Sequence, residues 1–109
     1  MSVGPADIAF ATELFNEIPD LNTRKMFGGL GIYSNGVIFA LMQSDSQLLL
    51  KAQDAGFIKT LAAAGSRQWT YPRKNGAETA MPYWTLPEAA LDDPDMANTL
   101  ARAALALLR

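Results

Sequence analysis

Apolar positions in three segments of the chain recur every three or four residues, as they do on one face of an α-helix. This spacing predicts helices at residues 5–18, at residues 54–64 and in the last segment, which begins at Asp93 and Pro94. Asp93 suits a helix N-cap and Pro94 the first helical position, while Gly65 suits the end of the middle helix. The pattern therefore predicts helices near the start, the middle and the end of the chain.

Between residues 23 and 52 the apolar pattern changes to one that is typical of β-strands. Asn35-Gly36 separates two apolar runs in this segment. This dipeptide favours a two-residue hairpin turn, because both central positions of such a turn need a positive φ. Residues 48–51 follow a polar turn and form a third strand. The segment is therefore predicted to be an antiparallel three-stranded meander.

Two further strands are predicted after the middle helix, at residues 67–71 and 79–85. Pro82 favours an edge position for the last strand, because its missing N–H cannot bond to a neighbouring strand. The predicted order α-β-β-β-α-β-β-α lacks the strict alternation of a parallel fold and is typical of the α+β class. We expect one domain over residues 1–109, with an antiparallel five-stranded sheet and helices on one face.

Composition and charge exclude most catalytic and cofactor chemistry. The chain has no cysteine and no histidine, so a thiolate metal site and the commonest general base are absent. The formal net charge is −2 and the basic residues form no stripe, which argues against direct binding to nucleic acid. The sequence shows no signal-peptide pattern and no apolar run of the ~20 residues that a membrane span needs. We expect a cytoplasmic protein that is not an enzyme and binds no cofactor.

Two blocks of the sequence carry a resemblance to a known family. The first runs from Met26 to Tyr33 and continues to Gly36, and the second surrounds Tyr83 and Leu86. Together they resemble the N-terminal domain of the TfoX/Sxy competence regulators. The residues of this signature, which we expect to be structural, are Met26, Phe27, Gly28, Gly29, Gly31, Tyr33, Gly36, Tyr83, Leu86 and Pro87.

The resemblance covers nearly the whole chain and implies a two-layer fold similar to that of type III secretion chaperones. It also implies a regulatory role, which the family exerts with a cyclic-AMP receptor protein at competence promoters. Full-length regulators of the family carry a second, helical C-terminal domain. The sequence ends at Arg109, directly after the last predicted helix, so we expect a standalone N-terminal domain.

The glycine-rich run Gly28-Gly29-Leu30-Gly31 has a functional and a structural interpretation. A dinucleotide-binding loop needs a third spaced glycine and a helix after it, but residue 34 is serine and a strand follows. In the structural interpretation, the glycines relieve crowding at a bulge or bend of a strand. We favour the structural role.

Residues 37–42 predict a strand with two apolar faces. By strand alternation, Val37, Phe39 and Leu41 are expected to lie on the face that packs against the helices. The remaining side chains point away from the helices and form a candidate interface: Ile38, Ala40 and Met42. An apolar face of this kind indicates binding to a protein partner, and we expect a homodimer. Alternatively, long side chains such as Arg24 and Lys51 shield this face.

The alternative function is the binding of a small ligand in an aromatic pocket. Trp69, Tyr83 and Trp84 are the candidate lining residues, and Arg67 and Arg73 are the candidate polar groups beside them. Strand alternation places Tyr83 and Trp84 on opposite faces of the sheet. One of them is therefore expected to pack in the core instead of lining the pocket.

Overall fold

A computed structural model describes residues 3–26 and 28–108 of the chain. The elements in these residues, in chain order, are α1 (Pro5–Leu14), β1 (Leu21–Met26), β2 (Gly29–Ser34), β3 (Val37–Met42), β4 (Leu48–Lys51), α2 (Ala55–Ala63), β5 (Gln68–Pro72), β6 (Glu78–Thr85), a 3₁₀ turn (Glu88–Ala90) and α3 (Pro94–Leu108). The strands form one antiparallel sheet in the order β1-β2-β3-β4-β6-β5. The α+β class is therefore confirmed.

The described part of the sheet has six strands, so the predicted number of five was wrong. The sequence indicated one strand through residues 23–33, but the chain reverses at Gly28, which has a φ of +79°. As a result β1 pairs with β2, with Met26 opposite Gly29. Gly28 therefore belongs to a hairpin turn where we expected a bend within one strand. Phe27 of the signature lies outside the described residues.

The turn predicted at Asn35-Gly36 and the cap predicted at Asp93 are confirmed, and Asp54 is a further cap. Asn35 and Gly36 have φ values of 51° and 79°, which is the left-handed backbone that a two-residue hairpin turn requires. The N–H of Phe57 donates to the side chain of Asp54, which caps α2, at 2.9 Å. Asp93 caps α3 in the same way, since its carboxylate accepts from the N–H of Met96 at 3.2 Å.

α1 ends at Leu14, although the apolar pattern predicted a helix to residue 18. The reason is a hydrogen-bonding side chain on another element. The amide of Asn98 on α3 donates to the carbonyl oxygen of Leu14 and accepts from the N–H of Glu17. These bonds replace the backbone hydrogen bonds that a further helical turn would make. Phe15 and Ile18 therefore belong to an irregular segment, and both are still buried in the core.

The edge position predicted from Pro82 was also wrong, because β6 lies between β4 and β5. The register of β5 and β6 is irregular here: Gln68 lies opposite Trp84, but Thr70 lies opposite Ala80. Pro82 falls in the unpaired stretch of β6, where its missing N–H costs no ladder bond. Its carbonyl oxygen still accepts from the N–H of Ala52 on the β4 side, at 2.9 Å.

All three helices bury side chains in one cluster with the same face of the sheet, as expected. Residues directly opposite each other on neighbouring strands share a face. Met42 lies opposite Leu30 and Leu48, which are both buried in this cluster. The core members are Ala11, Leu14, Phe15, Leu30, Ile32, Phe39, Ala40, Met42, Leu48, Leu50, Phe57, Leu61, Ala97, Ala101, Ala104 and Leu105. We call the opposite side of the sheet the open face.

A bulge in β3 corrects the predicted interface. Ile32 lies opposite Ala40 but Tyr33 lies opposite Ile38, so Phe39 is an extra residue and strand alternation fails there. Phe39 and Ala40 both enter the core. Ala40 and Met42 are 0% and 1% exposed within the single chain, so neither belongs to an exposed apolar face. Ile38 alone among the three is partly exposed, on the open face.

Candidate functional site

The open face carries large apolar and aromatic side chains. Leu41 belongs to this face, because it lies opposite Gly31 on β2 and Leu49 on β4, which both face away from the core. Leu49 is only 1% exposed although it points away from the core cluster. The large uncharged side chains of the open face are Met26, Tyr33, Ile38, Leu41, Leu49, Trp69, Tyr71 and Tyr83. Something other than the helices must therefore cover Leu49.

The sheet curls over its open face, so residues of its two outermost strands lie close together. A cavity of about 450 Å³ lies there, and its walls come from both ends of the strand order. Its lining residues are Met26, Gly29, Leu30, Leu41, Met42, Gln43, Ser44, Trp69 and Tyr71. Met26 belongs to β1 and Trp69 to β5, which are the two outermost strands. The sheet must bend for both to reach one cavity, and the bulges in β3 and β6 supply extra local twist.

Three aromatic rings lie at the cavity or beside it. Trp69 and Tyr71 line the cavity, and Tyr83 packs against Trp69. The ring centroids of Trp69 and Tyr71 are 6.4 Å apart, and those of Trp69 and Tyr83 are 6.3 Å apart, both in edge-to-face arrangements. Such pairs stabilise by about 0.5–1.5 kcal/mol beyond the area that they bury. Burial raises the pKa of the Tyr83 hydroxyl, and the nearby Tyr33 hydroxyl raises it further. The rings therefore form a partly desolvated, uncharged surface.

The predicted aromatic pocket is correct in part. Trp69 and Tyr83, two of the three predicted lining residues, do come together on the open face. Trp84 does not join them, because it lies opposite Leu50 and packs against the core cluster. Its indole N–H is buried and has no hydrogen-bond acceptor within the described residues. The sequence analysis missed Met26 and Leu41 as cavity residues, since only the curl of the sheet brings them to Trp69.

The charges are distributed unevenly between the two layers. Most basic residues lie on the strands, directly before β5 or in the β5–β6 hairpin: Arg24, Lys25, Lys51, Arg67, Arg73 and Lys74. Most acidic residues lie on the helices or in segments that flank them: Asp7, Glu13, Glu17, Asp54, Glu88, Asp92, Asp93 and Asp95. The net charge of −2 therefore conceals a basic sheet layer and an acidic helical layer.

Three of the basic residues belong to the open face. Arg24 lies opposite Gly31, and Lys51 lies opposite Tyr83. The Nε–H of Arg73 donates to the hydroxyl of Thr79, which lies opposite Tyr71. Glu78 is the one acidic residue on the described strands, and it neighbours Thr79 along β6, so alternation turns it to the other face. The open face thus combines an apolar cavity with positive charge.

Comparison with known proteins identifies the family. The family model described as the TfoX N-terminal domain matches residues 13–107 of the 109-residue chain. This chain belongs to the TfoX N-terminal domain family. The family expected from the two sequence blocks is therefore confirmed. A search of curated proteins found no significant match.

The glycines of the TfoX signature shape the floor of the open face. A Cβ atom on Gly29 would lie 2.4 Å from the carbonyl oxygen of Met42, a distance that real side chains do not show. A Cβ on Gly31 would lie 3.0 Å from the ring of Tyr33 and 3.1 Å from the methyl group of Met26. These glycines let neighbouring groups approach closely, and a strand, not a phosphate-binding helix, follows them.

The second TfoX block joins β6 to the last helix. Leu86 is buried, and its N–H donates to the carbonyl oxygen of Leu48 at 2.9 Å. Pro87 is fully buried and precedes the 3₁₀ turn. Within residues 3–26 and 28–108, no three acidic side chains cluster as a metal site. None of the helices in those segments combines the length and the apolar character that a membrane-spanning helix requires.

Proposed function

We propose that this TfoX N-terminal domain is a non-catalytic regulatory module that acts by binding another protein through the open face. The observation that carries the proposal is the large apolar surface that remains accessible there. Tyr71 is 57% exposed, and Ile38, Leu41 and Trp69 are partly exposed beside it. Contiguous exposed apolar surface of this kind is typical of protein interaction sites.

Charge favours an acidic partner protein over a second copy of the chain. Arg24, Lys51 and Arg73 all belong to the open face. Two copies that met face to face would bring like charges together, which opposes association. A partner with carboxylates around an apolar contact would complement the face instead. The homodimer expected from the sequence becomes the competing outcome, and direct binding to nucleic acid is not part of the proposal.

A matched pair of substitutions tests the role of the open face. Tyr71 and Leu107 have similar exposure, 57% and 51%, but Leu107 lies on α3 in the helical layer. Tagged wild type, Tyr71→Ser and Leu107→Ser would each be used to capture proteins from lysate. We expect one captured protein to be retained by Leu107→Ser and lost with Tyr71→Ser. The same protein, once purified, should bind wild type directly and more weakly at high salt.

Two outcomes would contradict the proposal. If Tyr71→Ser and Leu107→Ser reduce binding equally, the open face is not the interaction surface. If the purified chain sediments as a dimer at micromolar concentration and Ile38→Lys dissociates it, the occupant of the face is a second copy. Thermal melting of each variant shows whether it is folded before binding is compared.

A further inference from the structure

The cavity on the open face has the chemistry of a small-molecule site. Its volume of about 450 Å³ falls within the roughly 300–1,000 Å³ that is usual for such sites. Most of its lining is apolar or aromatic, with Gln43 and Ser44 as polar groups at one end. Within the described residues, the side chains of Gln43 and Ser44 make no hydrogen bond to another protein group, so both can bond to a ligand.

The shape of the walls favours a planar aromatic body. Trp69 and Tyr71 both line the cavity, and their planes are nearly perpendicular, at 81°, so a planar ligand ring can lie parallel to one and edge-on to the other. Both orientations pair well with another aromatic ring. Met26 adds a thioether, which adapts to irregular shapes and makes favourable contacts with aromatic rings.

Two arginines flank these walls without an acidic partner. Arg73 lies two residues beyond Tyr71, and its Nε–H is held by Thr79 on the same face as Tyr71. Arg24 lies two residues before Met26 on β1 and shares its face, about 7 Å away along the strand. The one ion pair within the described residues joins Arg102 to Glu17 in the helical layer. The remaining N–H groups of Arg24 and Arg73 can therefore bind an anion.

We propose that this cavity binds a small molecule with a planar aromatic body and one anionic group. The body enters between Met26, Leu41 and Trp69, where no charged residue lines the cavity. The anionic group stays at the rim, where Arg73 forms a charge-assisted hydrogen bond with it and Arg24 adds positive charge. This ligand site does not depend on the protein partner proposed above, and either can exist without the other.

Two fluorescent probes with the same ring system test the ligand class. N-phenyl-1-naphthylamine is uncharged, and 1-anilinonaphthalene-8-sulfonate adds a sulfonate to the same rings. We expect the sulfonate to bind saturably at one site and about tenfold more tightly than the uncharged probe at low salt. Equal affinity for both probes, or no saturable binding of either, would overturn the proposal.

Matched variants locate the site. Leu41→Trp fills the cavity and should abolish binding of both probes, whereas Ile38→Trp, on the same face of the same strand but outside the lining, should retain it. Arg73→Gln should weaken the sulfonate about fivefold or more and leave the uncharged probe unchanged. Lys59→Gln on α2 is the charge-matched control. If Lys59→Gln weakens the sulfonate as much as Arg73→Gln does, or if Leu41→Trp binds normally, the cavity is not the site.

Discussion

The side-chain amide of Asn98 on α3 donates to the carbonyl oxygen of Leu14, the last residue of α1, at 3.1 Å. The same amide nitrogen also contacts the carbonyl oxygen of Pro94 at 2.7 Å, and the amide oxygen accepts from the N–H of Glu17 at 3.2 Å. Asn98 is fully buried, so water cannot replace these bonds. One side chain therefore ends α1 and fixes its position against α3.

Asn98→Ala should lower the free energy of unfolding by about 2–3 kcal/mol. The substitution leaves the buried carbonyl of Leu14 and the part-buried N–H of Glu17 without their partner, and an unsatisfied buried group costs about 1–3 kcal/mol. Urea unfolding followed by circular dichroism measures the loss. Thr99→Ala, at an exposed position of the same helix, should change stability by no more than about 0.5 kcal/mol. Similar losses for the two variants would show that the Asn98 bonds are not decisive.

Gly29→Ala should destabilise the domain by about 1–3 kcal/mol through crowding between β2 and β3. The new Cβ would approach the carbonyl oxygen of Met42 to 2.4 Å, so the strands would have to separate. Gly4→Ala is a suitable control, because nothing lies within 4 Å of its Cβ position, and it should cost no more than about 1 kcal/mol. Thermal or urea unfolding compares the two. A loss for Gly29→Ala no larger than that of the control would contradict the crowding argument.

Asp7 should make the stability of the domain fall as the pH becomes acidic. The N–H of Gly4 donates to its carboxylate at 2.9 Å and lowers its pKa, and the hydroxyl of Ser46, at 2.8 Å, lowers it further. Because the folded-state pKa lies below the unfolded value, the stabilisation is complete above the unfolded pKa. It is lost as the pH falls through the folded pKa. Asp7→Asn should therefore be less stable than wild type near neutral pH, and the difference should shrink in acid.

The measurement for Asp7 is urea unfolding over a series of pH values between neutral and about pH 2. Ser46→Ala removes one of the two bonds and should show a smaller effect of the same sign. Parallel stability curves for wild type and Asp7→Asn at every pH would rule out the role of this carboxylate.

Tyr83 should make the stability of the domain fall as the pH becomes alkaline, whereas Asp7 makes it fall in acid. Burial raises the pKa of its hydroxyl, and Tyr33 adds to the shift. The folded state therefore keeps a proton that the unfolded state loses, so stability falls as the pH rises past the unfolded pKa. Tyr83→Phe should lose less stability than wild type between about pH 8 and about pH 11. An identical alkaline loss in both proteins would contradict the shift, and absorbance titration of tyrosinate would show directly whether one hydroxyl ionises late.

Much of the fold could be predicted because its signals are local. The turn at Asn35-Gly36 and the caps at Asp54 and Asp93 depend on a few neighbouring residues, so the sequence contains all the information needed. The early end of α1 is different, because its cause is Asn98, more than eighty positions away. The reversal at Gly28 was missed because a glycine suits both a bend and a turn.

The candidate site was predicted less well, because it depends on pairing between strands. The bulge at Phe39 appears only in the register of β3 against β2, and it moves Ala40 from the expected open face into the core. Alternation predicted that Tyr83 and Trp84 lie on opposite faces, but only the pairing of the strands shows that Tyr83 is the one that joins Trp69. The approach of Met26 to Trp69 needs the curl of the whole sheet, which no single segment encodes.

The last prediction is that the chain binds DNA weakly and without sequence preference near physiological salt. The sheet layer is basic, but its cations surround an apolar cavity, and the acidic helical layer repels phosphates that extend past it. Affinity for DNA grows with the number of phosphates neutralised, and Arg24, Lys51 and Arg73 offer few contacts. A mobility-shift titration should show weak binding that disappears as salt is raised, and Lys51→Gln should weaken it equally for all sequences. Tight, sequence-selective binding near physiological salt would contradict this and would make a nucleic acid the partner of the open face.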